Sequence, residues 1–285
     1  MPAVRRSIRQ AVSCSGVALH AGRRVCATLL PAQAGQGIVF RRDDLGGKTI
    51  PARYDRVVET RLGTVVSQDH AGVGVIEHLM AAVFGAGIDD LIVALDGPEP
   101  PILDGDALSW LDLLDRAGVR ETPGVRNAVR ILRRVEAARG DACAALAPAE
   151  TLAFDFEIAF DSPAIGAQKL LWEFSPENFR RDIAPARTFG FADELDSLRG
   201  AGLARGASLE NTLAIADGRI VNAALVRFAD EFVRHKILDA IGDLALAGAR
   251  VVGRFEGRRS GHALNNMLLR ALFADPENYE IVAAE

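Results

Sequence analysis

The sequence predicts an α+β protein built from two similar domains, and an internal duplication is the main reason. The segments Gly105–Leu113 and Gly261–Leu269 align without gaps and share a glycine, an alanine and two leucines. An apolar, β-like run precedes each of them, Leu91–Leu95 in the first case and Arg250–Phe255 in the second. An apolar helical segment precedes each run. This order of helix, strand and helix occurs twice, which indicates two related α+β halves.

The boundary between the halves is predicted at Pro123-Gly124, because these two residues mark turns and linkers. The predicted domains are residues 1–124 and 125–285. In the first, Val25–Leu30 and Gly37–Arg41 are bounded by Gly, Pro and Asp, as strands commonly are. In the second, Leu152–Ile158 alternates apolar and polar residues, as a strand with one buried face does. Residues 190–219 are predicted to form a helix, a glycine-rich loop and a short strand.

Composition excludes several classes of protein. The 285 residues carry a net charge of −5 with a pI near 5.6, which argues against a nucleic-acid partner. No apolar run approaches the roughly 20 residues of a membrane span, so no transmembrane segment is expected. Cys14, Cys26 and Cys143 are widely spaced and form no C-x-x-C pair. We therefore expect reduced, buried thiols and a cytoplasmic location.

The strongest chemical signal lies in the predicted helix around residues 231–243. His235 and Asp239 stand four residues apart, so they share one helix face and can bind a single metal ion. A catalytic zinc takes three protein ligands and keeps one position open. The third ligand must come from elsewhere, and the chain has only five histidines. The other candidates are His20, His70, His78 and His262.

His78 is a good candidate because Glu77 precedes it at the start of an apolar, alanine-rich helical run. In metal-assisted hydrolysis a histidine holds the ion, and a neighbouring carboxylate takes a proton from the attacking water. His262 begins another predicted helix, where its protonated form can act as an acid or as a positive charge. The Glu77-His78 pair and His262 both have an alternative explanation, since isolated histidines and Glu-His pairs are usually structural.

Four segments resemble the signatures of the zinc-dependent UDP-3-O-acyl-N-acetylglucosamine deacetylases, which catalyse the committed step of lipid A synthesis in Gram-negative bacteria. They are Glu77-His78-Leu, Pro185-Ala-Arg-Thr-Phe-Gly-Phe191, Phe232-Val-Arg-His-Lys-x-x-Asp-Ala-x-Gly-Asp243 and Ser260-Gly-His-Ala-Leu-Asn-Asn266. Ser15–Gly22 and Pro101–Gly105 also match. The resemblance extends from about Ser7 to about Ala274, in the family's order.

The resemblance implies a fold and a set of roles. It implies two domains of similar topology, each with β-sheets packed on a helix pair, and an active site in the crevice between them. One catalytic Zn²⁺ per chain would be bound by His78, His235 and Asp239. Glu77 would be the general base, and Thr188 would stabilise the oxyanion. His262 would act as an imidazolium kept charged by Asp243.

The resemblance also implies how substrate binds. The substrate would be a UDP-linked acylated glucosamine, and the products would be acetate and the free 2-amino sugar nucleotide. The protein would be a monomer. Lys236 would contact the substrate near the sugar and phosphate, and Phe156 would pack against uracil. The insert at residues 190–219 would form a passage for the acyl chain, with Phe189, Phe191 and Leu198 expected to line it. His20 and Asp104 match the family but receive no role.

Two other classes of function stay open at this point. A metal-binding relative could use the passage only to bind a lipid-like ligand or a partner, although pure binding needs neither Glu77 nor His262. Alternatively, a zinc amidohydrolase could act on a different N-acyl sugar. Loss of turnover with retained metal binding in Glu77→Ala would exclude the first class. Comparing substrates with and without the 3-O-acyl chain would test the second.

Overall fold

The computed structural model describes residues 3–284, and its strands and helices follow a similar order in each half of the chain. The first half contains β1 (Val4–Ile8), β2 (Val12–Val17), β3 (Arg24–Pro31), β4 (Ile38–Arg42), β5 (Lys48–Pro51), β6 (Val57–Glu59), β7 (Val65–Gln68), β8 (Ala71–Val73), α1 (Glu77–Gly85), β9 (Leu91–Leu95), α2 (Leu108–Ala117) and β10 (Val119–Val125).

The second half contains β11 (Asn127–Ile131), β12 (Val135–Arg139), β13 (Ala142–Ala147), β14 (Ala153–Ala159), β15 (Ala167–Glu173), α3 (Pro176–Asn178), β16 (Phe189–Phe191), α4 (Leu195–Gly200), β17 (Leu213–Ala216), β18 (Arg219–Ile220), α5 (Glu231–Leu244), β19 (Arg250–Val252), β20 (Arg254–Arg258), α6 (His262–Ala274) and β21 (Tyr279–Ala283). A π-helical turn, Phe179–Ile183, continues α3.

Each half contains a five-stranded sheet, and the two sheets have the same topology. Their strand orders are β2-β3-β9-β4-β5 and β12-β13-β20-β14-β15. In both, the central strand pairs in parallel with one neighbour (β4 or β14) and antiparallel with the other (β3 or β13). The predicted fold class, two similar α+β halves, is therefore confirmed. The predicted boundary at residue 124 falls inside β10 and stays a prediction.

A second correspondence concerns the segment before the first long helix of each half. In the first half a three-stranded sheet, β6-β7-β8, precedes α1, and in the second the sheet β16-β17-β18 precedes α5. The second small sheet carries the insert predicted at residues 190–219. The helix of the insert is α4, the glycine-rich loop follows α4, and the short strands are β17 and β18.

The helices α1 and α5 pack against each other at the centre of the molecule. Every residue of α1 is buried, and so are all but Arg234 and Lys236 of α5. A helix that is apolar on all sides, as α1 is after its first two residues, must be enclosed on all sides. Here α1 also packs on α2, and α5 on α6, β14 and β15. This central pair brings the first turn of α1 against the middle of α5.

One strand prediction is wrong in its extent. The run Arg250–Phe255 is split at Gly253 into β19, which pairs with β11, and β20, which belongs to the five-stranded sheet. The chain passes too close to its neighbours for a side chain here. A Cβ on Gly253 would lie 2.6 Å from Cγ1 of Ile131 and 2.9 Å from the carbonyl oxygen of Ala147. The glycine therefore marks the crossing from one sheet to the other.

Two further expectations concern the whole chain. The cysteines Cys14, Cys26 and Cys143 are free, as predicted, but they are half-buried rather than buried. Within residues 3–284, no helix has both the length and the apolar character needed to cross a membrane.

Candidate active site

The proposed metal ligands meet where α1 packs on α5. His78 is the second residue of α1, and His235 and Asp239 lie one turn apart on α5. Asp239 Oδ1 lies 3.7 Å from His78 Nε2 and 3.4 Å from His235 Nε2. Each of the three residues offers a ligand atom within 4.8 Å of the other two. The i, i+4 pair seen in the sequence is therefore completed by a histidine from the other half.

The surroundings of the two imidazoles fit a metal ion. His235 Nδ1–H donates to the carbonyl oxygen of Ala186 at 3.1 Å, which leaves Nε2 unprotonated and facing Asp239. His78 Nδ1 is buried and has no hydrogen-bond partner among the described residues. The Nε2 atoms of both imidazoles face the same carboxylate oxygen, Asp239 Oδ1. Two imidazoles and one carboxylate are a set of ligands that a catalytic zinc uses.

The electrostatics of these groups favour metal binding as well. Burial lowers the pKa of His78 to about 3, with help from His235, and burial lowers the pKa of His235 too. Burial alone would raise the pKa of Asp239, but Lys236 and the nearby histidines hold it well below its usual range. The site therefore presents neutral imidazoles and an ionised carboxylate, which are the protonation states that a metal requires.

Lys236 lies closer to the metal ligands than its position after His235 predicts. Its Nζ donates to Asp239 Oδ2 at 2.7 Å. Burial acts to lower the pKa of Lys236, but the Asp239 carboxylate outweighs it and the pKa is raised. The lysine thus binds one oxygen of Asp239 and leaves the other facing the histidines. Its predicted contact with substrate stays a prediction.

Glu77 begins α1 beside the proposed metal ligands. Its Oε2 accepts a hydrogen bond from the backbone N–H of Thr64 at 3.0 Å. Burial raises the pKa of Glu77 to about 7, against the opposing effect of His262. A carboxylate with a pKa near neutrality is suited to take up and release a proton in turn.

His262 begins α6 and faces Glu77 across the site, with Nε2 3.9 Å from Glu77 Oε1. Burial by itself lowers the pKa of His262, but Asp243 and Glu77 together raise it to about 9. The imidazole is therefore protonated near neutral pH. An imidazolium beside a carboxylate supplies an acid and a base to the same small volume.

Asp243 holds His262 through a buried hydrogen-bond network. Its Oδ2 accepts from His262 Nδ1 at 2.9 Å and from Asn265 Nδ2 at 2.8 Å, and its Oδ1 accepts from the Thr64 hydroxyl at 2.6 Å. Ser260 in turn donates to Asn265 Oδ1 at 2.7 Å. The sequence pointed to Asp243 but not to Thr64, which lies 179 positions away and binds both Asp243 and Glu77.

Thr188 lies on a loop and is fixed there by hydrogen bonds of both its backbone N–H and its carbonyl oxygen. Its backbone N–H donates to Gly105 O at 2.8 Å, and its carbonyl oxygen accepts from Leu213 N at 2.9 Å. Gly105 has φ +75°, and a Cβ there would lie 1.9 Å from Asn211 O, so only glycine fits this contact. The tight loop explains the Leu-Asp-Gly105 match in the sequence. Thr188 itself is half-buried.

A buried ion pair, which the sequence patterns did not reveal, holds the same loop against α5. Glu231 Oε1 accepts from the backbone N–H of Arg187 at 3.0 Å and lies 3.3 Å from its Nε. This pair places Ala186 where its carbonyl oxygen can bind His235. Arg187 lies inside one of the family's motifs, and Glu231 lies directly before another. The sequence therefore offered one signal of this ion pair, an arginine and a glutamate beside the segments that resemble the family.

The predicted aromatic positions differ in accessibility. Phe189 is half-buried, and its ring centroid lies 6.2 Å from that of His235. Phe156 is completely buried and stacks on Phe255 at 5.7 Å, because it is on the core-facing side of the alternating strand β14. It therefore offers no surface to a nucleobase, and the prediction that it packs against uracil is not supported. Phe160 just after β14 is half-buried and packs on Phe189.

The other candidate residues lie outside this cluster. Asp104 is exposed and 3.6 Å from Arg227, whereas the N-terminus of α2 is capped by Asp106, which accepts from Ser109 N at 3.1 Å. His70 lies on an exposed turn, as expected. His20 contacts both halves of the chain, through Leu62 and Ala204.

Comparison with known proteins gives matches over nearly the whole chain. The family model described as LpxC, UDP-3-O-acyl N-acetylglycosamine deacetylase, matches residues 5–274. A protein of a Nitratiruptor species is 46% identical over 279 residues, covering 98% of this chain and 93% of the relative. A protein of Phenylobacterium zucineum is 49% identical over 271 residues, covering 94% and 92%. One of Myxococcus xanthus is 46% identical over 280 residues, covering 98% and 89%. All three are named UDP-3-O-acyl-N-acetylglucosamine deacetylase.

Proposed function

Because the chain belongs to the UDP-3-O-acyl N-acetylglycosamine deacetylase family, we propose that it hydrolyses the N-acetyl group of UDP-3-O-(3-hydroxyacyl)-N-acetylglucosamine in lipid A biosynthesis. The products are acetate and the free 2-amino sugar nucleotide. The observation that carries this proposal is the meeting of His78, His235 and Asp239 with Glu77 and His262 where α1 packs on α5. This arrangement combines a metal site, a base and an acid.

The metal is Zn²⁺ in this proposal, held by His78, His235 and Asp239. Bound zinc lowers the pKa of water to about 7 and polarises a carbonyl oxygen. The buried, neutral imidazoles and the ionised carboxylate support this assignment. So do the Nε2 atoms of His78 and His235, which face the same Asp239 oxygen.

The protein's own groups handle the protons of the reaction. Glu77 takes a proton from the attacking water as the C–O bond forms. His262 gives its Nε2 proton to the amide nitrogen as the C–N bond breaks, so acetate and amine leave in balance. The Thr188 hydroxyl donates to the oxyanion, and one such donor is typically worth about 3 kcal/mol. Asp243 positions His262 by accepting from its Nδ1.

Substrate binding is proposed along the insert. Phe189 and Phe191 belong to β16 and pack on Phe160, and the acyl chain would lie beside them. Lys236 would contact the sugar and phosphate region. Phe160, just after β14, replaces Phe156 as the aromatic group that has ring surface to offer to the uracil.

Metal removal is the first test of this function. We expect purified protein treated with chelator to release no acetate from UDP-3-O-(3-hydroxyacyl)-N-acetylglucosamine. Adding back about one equivalent of Zn²⁺ should restore activity, because one catalytic ion suffices. A matched assay with UDP-N-acetylglucosamine, which lacks the acyl chain, tests specificity. A folded protein that is inactive in every metal state contradicts the proposed function and leaves only a metal site.

The pH dependence follows from the two opposed pKa shifts. Glu77 must be ionised, so kcat/KM rises with pH through its pKa, which burial raises to about 7. His262 must be protonated, so kcat/KM falls through its pKa of about 9. The positive charge of a bound metal lowers both values, so each limb lies at or below these figures. His262→Gln should lose the alkaline limb and move the acid limb to higher pH, because the imidazolium that lowers the pKa of Glu77 is gone. An alkaline limb that persists in this variant would assign it to another group.

A further inference from the structure

His20 joins three segments that are far apart in the chain. Its Nδ1 accepts a hydrogen bond from the backbone N–H of Ala204 at 3.1 Å. Because Nδ1 accepts, the ring proton lies on Nε2, which donates to the carbonyl oxygen of Leu62 at 2.9 Å. The backbone N–H of His20 itself donates to the buried carboxylate of Glu99 at 2.8 Å. The imidazole is thus fixed in one tautomer between the insert and the β6–β7 loop.

Both partners of the ring have unfavourable backbone conformations. Leu62 has φ +58° and Ala204 has φ +51°. Residues other than glycine rarely adopt this region, and they do so only where the surrounding contacts hold them there. The carbonyl group of Leu62 and the backbone N–H of Ala204 bind the same imidazole. His20 is therefore one of the contacts that hold these two residues in their unfavourable conformations.

The turn of the insert around Ala204 lies directly against the loop that carries His20. Gly206 N donates to Leu19 O at 2.9 Å. A Cβ on Gly206 would lie 2.3 Å from Ala18 O, and one on Gly22 would lie 2.6 Å from Cβ of Arg205. Two glycines are therefore needed for the close approach of these backbones. The insert is fixed to the first half of the chain at this point.

The Nε2 side of the His20 ring binds the loop that also holds the carboxylates of Glu77 and Asp243. Two residues after Leu62, Thr64 binds Glu77 through its backbone N–H and Asp243 through its hydroxyl. Gly63 is equally close, since a Cβ there would lie 3.0 Å from Glu77 Oε1. A shift of Leu62 therefore moves the groups that orient the base.

We infer that His20 is a positioning residue that couples the insert, where the acyl chain binds, to the loop that orients Glu77. This inference rests on the proposed function. The bond from Ala204 N to Nδ1 holds the insert and so determines how well a long acyl chain is bound. The bond from Nε2 to Leu62 O holds the β6–β7 loop and so determines the rate of the chemical step. His20 touches neither the metal ligands nor the reacting atoms.

Three variants separate these two hydrogen bonds. His20→Ala removes both, His20→Asn keeps an acceptor near the position of Nδ1, and His20→Gln keeps a donor near that of Nε2. Each zinc-loaded variant is assayed with the long 3-hydroxyacyl substrate and with an analogue whose acyl chain is several carbons shorter. His70→Ala, which removes an exposed histidine of the same half, is the control and should match the wild type. Thermal unfolding of every variant is measured alongside.

Each variant has a distinct expected result. His20→Ala should lower kcat/KM for the long substrate by about 10- to 100-fold, the range expected for losing two hydrogen bonds. His20→Gln should raise KM for the long substrate while keeping kcat near the wild-type value. His20→Asn should lower kcat for both substrates while keeping the preference for the long chain.

Two other outcomes contradict the inference. One is an active His20→Ala variant that keeps the wild-type chain-length preference and kcat. The other is an equal loss with both substrates in all three variants, in proportion to their thermal destabilisation, which would indicate a structural role alone. A wild-type protein inactive toward both substrates would instead contradict the proposed function.

Discussion

Replacing Glu77 by glutamine is expected to lower kcat by about 10²- to 10⁴-fold, the usual contribution of a general base. Glutamine has nearly the same shape and can still accept the hydrogen bond from Thr64 N, so the start of α1 should keep its position. What the variant loses is the ability to take a proton from water. Glu77 is not one of the three proposed metal ligands, so the bound metal should remain.

The measurements are acetate release, metal content and substrate affinity on the same preparation. Metal content should stay near one ion per chain and KM should change little while kcat falls. Glu256→Gln is the control, because Glu256 lies on strand β20, outside the candidate site, and pairs with Arg134 and Arg254. We expect wild-type kcat from it.

The same experiment decides between an enzyme and a binding protein. A chain that only binds a lipid-like ligand has no use for the Glu77 carboxylate, so its replacement would leave the function unchanged. If Glu77→Gln keeps more than about a tenth of wild-type kcat, Glu77 is not the base. His262, whose imidazole faces Glu77 across the site, would then be the next candidate.

Local patterns in the sequence were sufficient to predict much of this site. The i, i+4 spacing placed His235 and Asp239 on one helix face, and both lie on α5 facing His78. The apolar runs after Glu77 and His262 predicted helices that begin at these residues. The short duplication predicted two related halves because α2 and α6 occupy equivalent positions after the central strands β9 and β20. Each of these features depends on residues close together in the chain.

The features that escaped prediction depend on residues far apart in the chain. Thr64 binds the carboxylates of Glu77 and Asp243, the second of them 179 positions away, and nothing in its neighbourhood marks it. Phe156 alternates correctly for a strand, but periodicity cannot tell which face meets the core and which meets a ligand. The break at Gly253 arises from Ile131 and Ala147, which lie in other strands.

Gly242→Ala is expected to destabilise the protein by about 3 kcal/mol, at the upper end of the usual cost of overpacking. Gly242 lies in α5 where it crosses the start of α1. A Cβ there would lie 2.1 Å from the carbonyl oxygen of Glu77 and 2.9 Å from its Cα. Both are backbone atoms, so no side-chain rotation relieves the clash. Ordinary contact begins at about 3.5 Å, so the added Cβ and the Glu77 carbonyl oxygen must move apart by about 1.4 Å from their 2.1 Å separation.

This separation would act directly on the catalytic groups. Glu77 and His78 lie on one side of the crossing, and His235, Asp239 and Asp243 lie on the other, so any displacement stretches the metal site and the base together. A misplacement of about 1 Å can cost on the order of 10²-fold in rate, and we expect at least that loss in kcat/KM together with weaker metal binding.

The direction of the stability change distinguishes Gly242→Ala from an ordinary Gly→Ala substitution in a helix. In most helices alanine is more stable than glycine by about 1 kcal/mol, so Gly→Ala should be favourable wherever space allows. Gly200, at the end of α4, provides the matched control, because a Cβ added there would meet no other atom within 4 Å. We expect Gly200→Ala to unfold at the wild-type denaturant concentration or slightly above it, and Gly242→Ala well below it. If Gly242→Ala is as stable as Gly200→Ala and binds metal normally, the close crossing of α1 and α5 does not hold the site together.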